Sequence, residues 1–144
     1  MNNSEMAVTL FKEGFSCSQA IFSSFSEELN LDKNTALKIA DSFSGGMGRM
    51  AFTCGTVTGA FMVIGLKYGR TSASDEKAKQ KTTELVRKFA EKFKERNKFL
   101  NCKELLNCDI STAKGSEYVK KHNLTRKICP KFVADSAEIL GEIL

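Results

Sequence analysis

Between Asp75 and Asn97 the chain reads DEKAKQKTTELVRKFAEKFKERN, with Ala78, Leu85, Val86, Phe89 and Phe93 on one stripe and lysines around them. Apolar residues recurring every three or four positions bury one face of a helix and leave the other to water. The same period returns in Ala20, Ile21 and Phe25 after Cys17. It appears again in Ala36, Leu37, Ile39, Ala40 and Phe43, and in Phe132, Val133, Ala137, Ile139 and Leu140. Strand-like alternation is scarce, and one proline in 144 residues leaves these stripes nearly uninterrupted. The expectation is an all-α fold: a single-domain bundle of five to seven helices over residues 1–144, with no sheet.

Several helix ends are marked. Ser16 is placed to cap a helix beginning at Cys17, Asp32 a third helix, and Thr53 the apolar segment CGTVTGAFMVIGLKYG, which Gly69 ends. Asn101 precedes a short turn, CKELLN, and Pro130 suits the first position of the last helix. The segment STAKGSEYVKKHN has weak periodicity and carries no helix assignment. Gly45, Gly46 and Gly48, three glycines in four residues, form a loop with left-handed backbone angles. A bend before a helix explains them better than an anion-binding nest. Gly55 and Gly59, four apart, make a flat strip along which another helix backbone can approach.

Charge excludes little. Residues 77–103 carry ten Lys or Arg against three Glu, while the rest of the chain is slightly acidic. No zinc-finger spacing and no aromatic–basic RNA-binding signature accompanies this segment, so it reads as a solvated helix face and not as a nucleic-acid site. The longest apolar run, Val57 to Leu66, is about half of what a membrane span requires. The start, MNNSEMAVTLF, has neither a basic opening nor a sustained apolar run. A cytoplasmic location is expected. There, five cysteines favour metal binding or redox work over a static disulfide framework.

The thiols are Cys17, Cys54, Cys102, Cys108 and Cys129. Four of them share a setting in the sequence: Cys17 follows Ser16, Cys54 follows Thr53, Cys102 follows Asn101, and Cys129 precedes Pro130. Each would then lie at or beside the first turn of a helix, where unpaired N–H groups and the positive dipole end favour thiolate. Thiolate is both the nucleophile of disulfide exchange and the metal-binding form. No Cys-x-x-Cys occurs, His122 is the only histidine, and no phosphate-binding Gly-x-x-x-x-Gly-Lys-Ser/Thr loop exists. A lone cysteine is commonly inert core, but four in an electropositive setting point to chemistry.

The segments GFSCSQAI, SGGMGRMAFTCGTVTGAFMVIGLKYG, NCKELLNCD and ICPKFVADSAEIL together resemble a family of redox-active proteins named for its pattern Cys … Cys-Gly-Ala-x-x-Gly … Cys … Cys. The resemblance spans nearly the whole chain. It makes Cys17, Cys54, Cys102 and Cys129 the pattern cysteines and Gly55 and Gly59 the motif glycines. Thr56 stands where the pattern has Ala, adding a hydroxyl beside Cys54, and Cys108 lies outside the pattern.

The resemblance implies a redox role without naming a substrate or partner protein. Two readings follow. In the first, Cys54 is the attacking thiolate and a second pattern cysteine, Cys17 or Cys129, resolves the mixed disulfide. In the second, Cys17, Cys54, Cys102 and Cys129 hold an iron–sulfur cluster or zinc, between helices or across a homodimer. A third makes the chain a binding accessory that uses its basic helix, with inert thiols. Both leading readings require the four cysteines to converge in space.

Overall fold

Residues 113–122, left unassigned by periodicity, are helical. Thr112 accepts a hydrogen bond from the Gly115 N–H at 2.9 Å, and Asn123 closes the segment in a left-handed conformation, φ 52°. Such caps stabilise a helix whose apolar stripe is thin. The computed structural model describes residues 1–144 and contains eight α-helices, one more than the upper expectation, and no strands. They are α1 (Asn3–Lys12), α2 (Cys17–Ser26), α3 (Lys33–Asp41), α4 (Gly55–Tyr68), α5 (Glu76–Asn97), α6 (Cys102–Leu106), α7 (Ala113–His122) and α8 (Leu124–Ile143). A short 3₁₀ turn, Glu27–Leu29, continues α2. No helix is long and apolar enough to cross a membrane.

The centre of the molecule is α4. Its sequence is apolar nearly all round, and it packs against α2, α5 and α8, leaving only its last turn, at Leu66 and Lys67, exposed. Val57, Ala60, Val63 and Ile64 are fully buried there. The α5 stripe follows the expectation: Leu85, Phe89 and Phe93 are buried while the lysines face water. Phe61, Phe89, Phe93 and Phe132 form a chain of ring contacts, with centroids 5.9 to 6.3 Å apart, joining α4, α5 and α8. Outside this core, Arg96 of α5 reaches Asp135, Glu138 and Glu142 of α8 at 2.7 to 3.3 Å. Part of the basic charge of α5 therefore binds two helices together.

Between α3 and α4 the chain makes an unusual turn. Gly45, Gly46 and Gly48 have φ of 65°, 75° and 56°, and Met47, Arg49 and Ala51 are also left-handed. The non-glycine members adopt a conformation that L-residues avoid. What holds them is hydrogen bonding: the N–H groups of residues 47 to 52 all donate to backbone carbonyls between Ser42 and Met47. The turn spends those six donors on itself, as expected of a structural bend. Gly46 is obligatory, because a Cβ there would lie 2.5 Å from the Phe52 nitrogen.

Two helix starts differ from expectation. Cys54 itself, not Thr53, is the N-cap of α4. Thr53 is instead drawn into an antiparallel bridge with Asn101, flanked by bonds from the Cys54 N–H to the Leu100 carbonyl (2.8 Å) and from the Cys102 N–H to the Phe52 carbonyl (2.6 Å). The last helix begins at Leu124, six residues before Pro130, which lies inside it. Pro130 lacks the N–H that would bond to the Arg126 carbonyl, so one rung is missing within α8. Cys129 is accordingly a mid-helix residue and has no N-terminal dipole beside it.

Candidate functional site

The approach of α2 to α4 assembles the site. A Cβ on Gly55 would lie 2.8 Å from the Ser18 nitrogen and 3.1 Å from the Cys17 Cβ; one on Gly59 would meet Ile21 and the Ser18 carbonyl at 3.1 Å. Both motif glycines are therefore where the backbones touch, as the flat strip anticipated. Two serine bonds tie these helices to their neighbours. Ser18 donates to the Ala40 carbonyl of α3, and Ser136 of α8 to the Thr56 carbonyl, each at 2.8 Å.

This contact sets Cys17 beside Cys54, and α8 brings Cys129 to the other side of Cys17. Cys129 and Cys54 are both close enough to Cys17 to raise its thiol. Cys17 is the first residue of α2, held by a reciprocal cap in which the Gln19 N–H donates to Ser16 and the Ser16 N–H donates to the Gln19 side chain. Cys102 joins from the far side of the Thr53–Asn101 bridge, as the diagonal cross-strand neighbour of Cys54. The four pattern cysteines thus lie in one region, each within electrostatic reach of another. Cys108 does not take part, its thiol being donated to the Gly115 carbonyl at 3.3 Å.

The thiols differ electrostatically. Cys54 is brought down to about 7, chiefly because the Cys17 thiol donates to it, with help from the Thr56 hydroxyl 3.1 Å away. Burial works against this, and no amide makes a full capping bond to the sulfur. The Thr56 and Val57 amides of the first turn add the attraction expected at a helix N-terminus. Cys17 is raised well above an ordinary thiol by its bonds to Cys129 and Cys54 and by burial. Cys102 is pushed up to about 12 by burial and then by the negative charge of Cys54 and Cys129, with Arg49 partly offsetting. Cys54 is therefore partly ionised at neutral pH, with Cys17 protonated beside it.

Cys17, Cys102 and Cys129 line a pocket of about 760 Å³. Cys54, 5% exposed, does not line the pocket. All five thiols are free. The expected four-cysteine metal set does not assemble, since no group of three or more Cys, His, Asp or Glu side chains is arranged to hold an ion. Cys54 is buried and absent from the pocket wall that Cys17, Cys102 and Cys129 share, so the four sulfurs do not open onto one common site.

The sequence alone did not disclose the pocket wall. Arg49, Lys120 and Arg126 line it, from the left-handed turn, α7 and the first turn of α8. Arg49 had a local cue in its glycine-rich surroundings; Lys120 and Arg126 had none.

These features define an all-helical protein with free thiols gathered around one glycine-mediated helix contact. Residues 15–143 match the family model described as "Putative redox-active protein (C_GCAxxG_C_C)". The chain belongs to this family. No curated protein and no solved structure matches it.

Proposed function

We propose that the chain works by thiol–disulfide exchange in the reducing cytoplasm, using Cys54 and Cys17 as the reactive pair. The observation that carries this reading is the close packing of α2 on the start of α4, where a Cβ on Gly55 would lie 3.1 Å from the Cys17 Cβ; the thiol so placed lowers Cys54 to about 7. The roles are the reverse of those read from the sequence, which made Cys54 the attacking thiolate. Cys54 holds the charge but is covered, whereas Cys17 faces the pocket. Cys17 makes the attack, and its proton passes to the neighbouring Cys54. In the mixed disulfide Cys17 is neutral. Cys54 then loses its proton to solvent, attacks the Cys17 sulfur and closes an intramolecular disulfide. Cys129, on the other side of Cys17, is the alternative resolving thiol, and Cys102 stays protonated beside the pair.

The test is mild oxidation of reduced protein with a small disulfide, followed by peptide mapping. The expected product links Cys17 to Cys54. A linkage that omits Cys17, or only intermolecular linkages, would refute the pair. Stoichiometric iron or zinc in anaerobically purified protein would refute the exchange reading itself.

A further inference from the structure

Exchange at Cys17 needs an approach path, but it does not by itself require cations along that path. Arg49, Lys120 and Arg126 reach the same pocket wall from three separate parts of the chain, against a single carboxylate, Asp41. None of the three cations is in an ion pair. The one side-chain bond of Arg49 runs to the neutral Ser116 hydroxyl at 3.1 Å. Arg49 is also close enough to Cys102 to favour its ionised form. A concave wall with an excess of positive charge concentrates anions, and about 760 Å³ lies within the usual range for a small-molecule site.

We propose that the pocket takes a small anionic disulfide, presented to Cys17 with its charged groups toward Arg49, Lys120 and Arg126. This rests on the thiol-exchange reading and adds the substrate class. In the first step the Cys17 sulfur bonds to one sulfur of the ligand. The ligand S–S bond breaks, and its electron pair leaves on the other sulfur as a thiolate, while the Cys17 proton moves to Cys54. In the second step Cys54, having released that proton, bonds to the Cys17 sulfur and expels the remaining half of the ligand as a second thiolate. Two protein thiols are oxidised by two electrons, and one disulfide is reduced to two thiols. The cations serve twice, drawing the ligand in and stabilising the departing negative sulfur.

The experiment uses the reduced full chain and three simple aliphatic disulfides: dianionic 3,3′-dithiodipropionate, neutral 2-hydroxyethyl disulfide and dicationic cystamine. Each rate is divided by that of the same disulfide with a free model thiol. At low salt the dianion is expected to exceed the dication by about tenfold or more, an advantage that shrinks as salt is added. Lys120→Gln with Arg126→Gln should flatten the order. Lys77→Gln with Lys79→Gln, which removes the same charge from α5, should leave it intact. Equal normalised rates, faster cystamine, or the same loss of preference in both double variants would overturn the anionic substrate class while leaving thiol exchange standing. Failure of all three disulfides to react would sink the exchange reading and this proposal with it.

Discussion

Gly55 lies so close to Cys17 that a methyl group in its place would come within 3.1 Å of the Cys17 Cβ and 2.8 Å of the Ser18 nitrogen. The backbone at Ser18 cannot swing aside as a flexible side chain would, because the Ser18 hydroxyl is anchored to Ala40. Gly55→Ala should therefore push α2 from α4 and cost about 1–3 kcal/mol, the usual scale of overpacking. It should also weaken the Cys17–Cys54 hydrogen bond. Urea unfolding checks the first effect and the ionisation of Cys54 the second. A variant of unchanged stability that keeps its acidic thiol would show that the glycine is not what brings the two cysteines together.

Thr56 is a departure from the family pattern with a visible consequence, its hydroxyl being 3.1 Å from the Cys54 sulfur. Thr56→Ala, which restores the pattern residue, should raise the Cys54 thiol above about 7. Cys17→Ala should raise it further, since the Cys17 bond is the larger influence. The pH dependence of alkylation measures both. The reverse ranking would mean that the hydroxyl, not the neighbouring thiol, governs Cys54.

Cys54 and Cys102 make opposite demands on pH. Folded Cys54 ionises at about 7 against 9.0 for an ordinary thiol, so between those values the unfolded chain binds the extra proton and stability rises with pH. Cys102 keeps its proton up to about 12, so above 9.0 the unfolded chain loses a proton that the folded one retains, and stability falls. The thiol contribution should peak near pH 9.0. Cys54→Ser should remove the rise and Cys102→Ser should soften the fall, as read from urea midpoints on either side of that value.

Cys108 is expected to be dispensable. Its thiol donates to the Gly115 carbonyl, a bond that a serine hydroxyl can replace. Cys108→Ser should leave the rate and stoichiometry of disulfide exchange within about twofold of the parent, where a factor of two corresponds to only ~0.4 kcal/mol. A loss comparable with that of Cys54→Ser would place Cys108 in the reactive set.

The stripes of α2, α5 and α8 were legible because burial imposes its period on the sequence directly. The Gly55–Gly59 strip was legible for a related reason, since missing side chains mark a surface that another backbone can reach. Pro130 misled because its lack of an N–H suits a helix start, and only the left-handed Asn123 seven residues earlier marks where α8 begins. Thr53 offered a plausible cap, yet the pairing with Asn101, 48 residues on, claimed it. The meeting of Cys17 with Cys129, and the gathering of Arg49, Lys120 and Arg126 on one wall, depend on how helices distant in sequence cross. No local pattern encodes those crossings.

The most direct measurement of the shared charge is a titration of thiolate by its ultraviolet absorbance in the reduced protein. The wild-type chain should show one thiolate forming at about 7, and Cys54→Ser should lose that step. A wild-type protein whose thiols all ionise at 9.0 or above would contradict the account, because Cys17 and Cys54 would then hold no charge between them at neutral pH.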